Sequence, residues 1–160
     1  MTTLVALIGL PGAGKSQLAR AIAEAKRWAI VSRDSFPREQ LDDQSKAAAT
    51  HAAFAALNEA LLQGRSCILD GMTLSTSLQR ERVREIARDC AAQAVLIWLD
   101  CPVDVAIARV AAQADHPARD RGAALVREVA ARFAKPERDV LRLDAQRETG
   151  ELLAQVLPRL

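Results

Sequence analysis

The sequence predicts an α/β domain built on a parallel sheet. Two observations carry this. Short, unbroken apolar runs alternate along the chain with segments of helical periodicity, which is the mark of βαβ units. The first apolar run leads directly into "GLPGAGKSQLA" (9–19). Its spacing, Gly9-x-x-x-x-Gly14-Lys15-Ser16, is meaningful only between a strand and a helix, and it has that context here.

Each element follows in order. "TLVALIG" (3–9) lacks polar alternation and reads as a strand buried on both faces. A helix should begin at Gly14 or Lys15 and run to about Lys26, and "WAIVSRD" (28–34) reads as a second strand. "QSKAAATHAAFAALNEALLQG" (44–64) is a long helix in which Phe54, Leu57 and Leu61 share one face, with Gly64 as its stop. "SCILDGM" (66–72) is a third strand, "RERVREIARD" (80–89) a helix and "AVLIWLD" (94–100) a fourth strand. Asp100-Cys101-Pro102 opens the next helix, with Asp104 in its first turn.

"QADHPARDRG" (113–122) interrupts the pattern with Pro, Gly and charged side chains. "AALVREVAARFAK" resumes a helix that Pro136 should end, "DVLRLDA" (139–145) is a fifth strand, and "RETGELLAQVL" is a closing helix. With no repeat, linker or low-complexity stretch, residues 1–160 are expected to form one domain with a short lid at about 113–122.

Composition narrows the function. Lys and Arg number 22 against 20 Asp and Glu, a balance that announces neither nucleic acid nor membrane as partner. Aromatic residues are only 3%, which disfavours a base-stacking surface. Cys67, Cys90 and Cys101 lack metal-ligand spacing, and His51 and His116 are the only histidines, so a zinc site is not expected. His51 is expected to be a packed or solvent-tipped side chain on its helix. The opening run lacks a basic flank and no apolar stretch approaches the roughly 18 residues of a membrane span, so a cytoplasmic protein is expected.

The glycine loop bends the backbone so that several N–H groups converge on an anion, at the positive end of the following helix. Gly12, Ala13, Gly14, Lys15, Ser16 and Gln17, together with Arg109, are the expected nucleotide-binding residues. Lys15 supplies a point charge to the β- and γ-phosphates, and the Ser16 hydroxyl is a ligand for Mg²⁺. Ligands of open parallel sheets lie beyond the carboxyl ends of the strands, which brings Asp34 and Asp70 to the same crevice as Lys15.

Asp34 can accept a proton from an attacking hydroxyl, or it can cap the next helix. Arg38 can reach the same space as a substrate contact or pair with Asp42. Asp70 is expected to support the metal or the acceptor. Arg80 and Arg84 share a helical face, either solvated or, with Arg33 and Arg38, part of a basic rim for a phosphorylated or nucleic-acid acceptor. Arg109 precedes the lid segment, whose Arg119 and Arg121 are candidates to close over the phosphates during transfer.

"GLPGAGKS", "VSRDSFPR", "GRSCILDGMTLS" followed by Arg80, and "VLIWLDCPVDVAIAR" occur in that order. Together they resemble the small P-loop kinases that include polynucleotide 5′-kinase domains, zeta-toxin-like kinases and chloramphenicol phosphotransferase-like enzymes, a kinase-like branch of the AAA-type ATP-binding domains. The likeness spans about residues 3 to 145. It implies a P-loop NTPase three-layer sandwich with a five-stranded parallel sheet in order 2-3-1-4-5, helices on both faces, and ATP with Mg²⁺. It also implies an aspartate base at Asp34, an acidic position at Asp70 and a lid arginine at Arg109.

Three positions depart from the polynucleotide-kinase pattern. Arg38 lies four residues after Asp34 rather than three, Thr73 stands where Asn is usual, and Gln113 stands where a second lid arginine is usual. These leave phosphotransfer intact and the acceptor open.

Other nucleotide-binding classes fit less well. A GTPase needs an Asn-Lys-x-Asp guanine reader, and the one asparagine, Asn58, precedes Glu59. A motor ATPase needs a longer chain and paired acids after a strand, where "ILDGM" has one. The reading is therefore an ATP-dependent kinase of a hydroxyl on a small molecule. A polynucleotide 5′-hydroxyl kinase and a non-catalytic ATP-binding module are the alternatives.

Overall fold

The computed structural model describes residues 1–36, 42–113 and 122–160. Its five strands are β1 (Thr3–Ile8), β2 (Ala29–Ser32), β3 (Cys67–Asp70), β4 (Gln93–Asp100) and β5 (Leu141–Asp144). They form one sheet in the order β2-β3-β1-β4-β5, and every pairing is parallel. In register, Val5 lies opposite Ile68 on one side and Val95 on the other. The expected class and strand order are both observed.

Both faces of the sheet are covered, and the reason is the alternation of side chains along β1. Leu4, Ala6 and Ile8 point to a core shared with Leu57, Leu61, Val83 and Ile86. These come from α2 (Asp43–Leu62) and α3 (Ser77–Asp89). Val5 and Leu7 point to the opposite core, with Leu18, Ile22, Ala106, Val126, Leu152 and Val156. Those belong to α1 (Lys15–Lys26), α4 (Val103–Ala112), α5 (Ala123–Arg132) and α6 (Thr149–Val156). All six residues of β1 are buried, as the missing polar alternation predicts.

Several boundaries differ from expectation, each for a local reason. β2 stops at Ser32 because the Ser32 hydroxyl accepts the Asp34 N–H and caps a 3-10 turn, Arg33–Ser35. Asp34 therefore sits on that turn and not on the strand. It does not cap α2 either, since Asp42 does so by accepting the Ser45 N–H at 2.7 Å.

α3 starts three residues earlier than expected because Thr76 and Gln79 form a reciprocal capping box. α5 ends at Arg132 rather than at Pro136. Past Phe133 its backbone is claimed by the loop after β3, with the Ala134 N–H donating to Ser75 O at 2.8 Å. Of the expected lid, only Gln113 and Gly122 are among the described residues. No helix among the described residues is long and apolar enough to cross a membrane.

Candidate active site

The loop between β1 and α1 turns on two left-handed glycines, Gly12 (φ 85°) and Gly14 (φ 95°). Gly12 also packs against α4, where an added Cβ would lie 2.5 Å from Ala106 O and 2.8 Å from Val110 Cγ2. No side chain among the described residues caps α1, so the N–H groups of its first turn are left to a ligand. Lys15 is buried, and its Nζ donates to Gly9 O and Leu10 O at 2.8 Å each. This holds the ammonium inside the curve of the loop.

The first residue pair that joins loop and sheet is Ser16 and Asp70. Ser16 Oγ donates to Asp70 Oδ2 at 2.8 Å. Asp70, at the end of β3, is 7% exposed, and its other oxygen has no hydrogen-bond partner among the described residues. A hydroxyl beside a carboxylate with one buried, unmatched oxygen suits a hard cation that keeps much of its water. Mg²⁺ is bound in that way, through one or two protein oxygens together with phosphates. No cluster of three or more His, Cys, Asp or Glu among the described residues offers an all-protein cage. The donor set thus fits a Mg²⁺ that arrives with a nucleotide.

Asp34 reaches the same place from β2. Ser32 is the β2 partner of Asp70 in the sheet register. Gly71 follows Asp70 at φ 79° and lies flush under the turn: a Cβ there would meet Ser32 Oγ at 2.8 Å, Arg33 N at 3.0 Å and Asp34 N at 3.1 Å. Close approach of the two strand ends is what sets the turn carrying Asp34 beside Asp70. A cleft of about 140 Å³ results, lined at the loop by Pro11, Lys15 and Ser16 and at the strand ends by Arg33, Asp34, Asp70, Gly71, Met72 and Thr73. Lys46, Gln79, Leu125, Val129 and Arg132 complete its wall from α2, α3 and α5.

Of the residues singled out from sequence, Lys15, Ser16, Asp34 and Asp70 meet in this cleft. Arg109 lies on the other side of the loop, donating to Ala13 O at 3.3 Å and to Ala145 O at 2.9 Å. It thereby ties the glycine loop to the segment after β5. Gln17 is exposed in the first turn of α1. Arg38, Arg119 and Arg121 lie outside the described residues.

The basic rim is corrected in part. Arg80 is completely buried, and neither it nor Arg84 lines the cleft. Arg80 Nη1 donates to Leu74 O at 2.8 Å, while Nε and Nη2 donate to the Glu137 carboxylate at 3.1 and 3.0 Å. Arg84 is spent on Glu137 and Asp139. Arg80 is thus a strut between the loop after β3 and the segment after α5. Its hydrogen bonds hold the Glu137 carboxyl down at about 2, well below the usual carboxylate range.

Lys46, Gln79 and Arg132 were not found by sequence reasoning. Only Gln79 carries a signal, the Thr76-x-x-Gln79 capping box.

The chain belongs to the AAA domain family AAA_33, which it matches over residues 4–136. It is 30% identical over 123 residues to a shikimate kinase of Corynebacterium glutamicum, an overlap covering 71% of this chain and 68% of that protein. Among solved structures it resembles a sugar kinase from Janibacter sp. HTCC2649, with a TM-score of 0.77 and 19% identity over 99% of this chain and 94% of that one. It also resembles a gluconokinase from Sinorhizobium meliloti 1021, with a TM-score of 0.71 and 20% identity over 98% and 90% of the two chains. An APS kinase of Mycobacterium tuberculosis, solved with AMPPNP and APS, gives a TM-score of 0.72 at 16% identity over 98% and 96%. The fold is that of the small P-loop kinases.

Proposed function

We propose that this protein transfers the γ-phosphate of ATP to a hydroxyl of a small molecule. One observation carries the reading: Lys15, Ser16, Asp70 and Asp34 line a single cleft at the carboxyl ends of β1, β2 and β3. A nucleotide switch has use for the first three. A carboxylate on the far wall is what a hydroxyl acceptor needs.

ATP docks with its phosphates against the backbone N–H groups of Gly12 to Ser16, and Lys15 exchanges the carbonyls of Gly9 and Leu10 for phosphate oxygens. Ser16 and Asp70 would hold Mg²⁺, which would offset the negative charge that builds up on the phosphates in transfer. Asp34 orients the acceptor hydroxyl and takes its proton as the oxygen attacks phosphorus. Arg109 steadies the base end of the loop. Arg119 or Arg121 is the proposed partner of the phosphates during transfer, and Arg38 that of the acceptor.

The shikimate kinase relative supports a hydroxyl acceptor of low molecular weight. So does the cleft wall, which contains no aromatic side chain among its described residues and so no platform for a base. The test follows γ-labelled ATP with purified protein and Mg²⁺, alone, with a 5′-hydroxyl oligonucleotide, and with a low-molecular-weight cell extract. Label should appear as a phosphoester in the extract only. Label on the oligonucleotide would overturn the small-molecule acceptor, and release of inorganic phosphate alone would overturn phosphotransfer.

A further inference from the structure

Gln79 serves the fold with one end of its side chain and the cleft with the other. Its Oε1 accepts the Thr76 N–H at 3.2 Å, while the Gln79 N–H donates to Thr76 Oγ1 at 3.3 Å, closing the capping box of α3. The same side chain lines the cleft that holds Lys15, Ser16, Asp34 and Asp70. Only the oxygen of a carboxamide can accept a backbone N–H, so the capping bond decides which way the amide lies. Oε1 faces the start of the helix, and the Nε2 donor is the end turned away from it.

The cap alone does not ask for glutamine. A capping box is completed equally by glutamate, whose carboxylate would also offset the positive pole of the helix. The first turn of α3 nevertheless has no acidic residue. What glutamine adds over glutamate is a neutral N–H donor. A residue passed over by local preference while it lines a cleft is better explained by what the cleft holds.

The wall beside Gln79 is fixed by three successive carbonyls. Thr73 O accepts the Gly9 N–H at 3.1 Å, Leu74 O accepts from Arg80 Nη1 at 2.8 Å, and Ser75 O accepts the Ala134 N–H at 2.8 Å. Leu74 is completely buried and held at φ 49°, a left-handed conformation that a bulky side chain rarely takes. Strain of this kind persists where the surrounding bonds over-determine it, and it gathers at functional sites. The Gln79 donor is therefore presented from a rigid wall.

Resting on the phosphotransferase reading, we propose that Gln79 binds the acceptor and selects molecules with a second oxygen beside the hydroxyl to be phosphorylated. Nε2 donates to that oxygen while Asp34 holds the reacting hydroxyl. The acceptor is then a small polyoxygenated molecule, a polyol or a hydroxy acid, and not a simple alcohol. A donor held in place by the fold loses little freedom on binding, and a site built around such a bond discriminates against analogues that lack the oxygen.

The test follows transfer from γ-labelled ATP into a dilution series of a low-molecular-weight cell extract, for wild type, Gln79→Glu and Gln79→Met. Gln79→Glu keeps the capping oxygen and loses the donor, and Gln79→Met loses both without adding charge. Each should raise the extract concentration for half-maximal labelling by about tenfold or more, the loss of about one hydrogen bond, with AMPPNP affinity unchanged. Gln79→Glu should also melt with the wild type. Arg82→Gln, exposed on the same helix and outside the cleft lining, should change none of these. Passing the extract over an anion exchanger first separates the two sources of the oxygen: label in the flow-through marks a polyol, and label in the bound fraction a hydroxy acid.

A role confined to the cap predicts a loss in Gln79→Met alone, and repulsion by a new carboxylate predicts a loss in Gln79→Glu alone. Either pattern, or no loss in both, would overturn the proposal. A wild type that binds AMPPNP but labels nothing in the extract would instead sink the phosphotransferase reading, and this proposal with it.

Discussion

Ser16 Oγ donates a 2.8 Å hydrogen bond to Asp70 Oδ2 across 54 residues of sequence, joining the first turn of α1 to the end of β3. The parallel pairing of β1 with β3 makes this contact possible, because both strands then release their chains on the same side of the sheet. The pair is formed by the fold itself, so the two oxygens proposed to hold Mg²⁺ are together before any nucleotide arrives.

Asp70→Asn should therefore act on metal dependence and not on folding. We expect the Mg²⁺ concentration for half-maximal binding of a fluorescent ATP analogue to rise by about tenfold or more, with an unchanged circular dichroism spectrum. An unaltered Mg²⁺ requirement would remove Asp70 from the metal site.

Gly71→Ala tests the other half of the site. The added Cβ meets Ser32 Oγ, Arg33 N and Asp34 N at 2.8 to 3.1 Å, in a backbone conformation with positive φ. The turn carrying Asp34 must shift, and turnover should fall by about 10²-fold while nucleotide affinity holds. Kinetics and nucleotide binding measured on the same variant check the split.

Arg80 is the strut whose removal should cost stability. Arg80→Met leaves Leu74 O without its donor, but Glu137 keeps Arg84 and some solvent, so the cost is about 2–3 kcal/mol rather than that of a fully buried pair. Urea unfolding measures it directly.

The same strut gives a pH dependence with a definite sign. Glu137 is held at about 2 in the folded protein, mainly by its hydrogen bonds from Arg80, against an ordinary value of 4.5. A carboxyl lowered on folding stabilises fully above its unfolded pKa and loses that contribution as pH falls toward the folded one. The stability gap between wild type and Glu137→Gln should thus be constant above about pH 5 and shrink between 4.5 and 2. A gap that widened with acid would contradict the assignment.

Burial pushes the Cys67 thiol up to about 11 and raises that of Cys101, and both side chains are shielded from solvent. In the native protein neither should react promptly with a disulfide reagent at neutral pH, and both should react once urea unfolds the chain. Counting released thiolate before and after unfolding decides it.

What was legible in the sequence follows from the range of the forces involved. The strands of "TLVALIG" and "AVLIWLD" declare themselves because burial on both faces demands unbroken apolar runs. The glycine loop declares itself because backbone N–H groups can converge only at that spacing.

Arg80 hid its role, since an arginine in "RERVRE" looks solvated and its partner Glu137 lies 57 residues away. Lys46 and Arg132 were hidden for the same reason: only the packing of α2 and α5 brings them to the cleft. The early end of α5 was equally invisible, being set by Ser75 capturing the Ala134 N–H.

The central claim is that Asp34 activates a hydroxyl for attack on the γ-phosphate held by the loop. Transfer of label from γ-labelled ATP into the acid-stable phosphoesters of a low-molecular-weight extract tests it, comparing wild type with Asp34→Asn at saturating ATP and Mg²⁺. Asp34→Asn should lose about 10² to 10⁴ in transfer with nucleotide affinity preserved. Equal transfer by both proteins would contradict it.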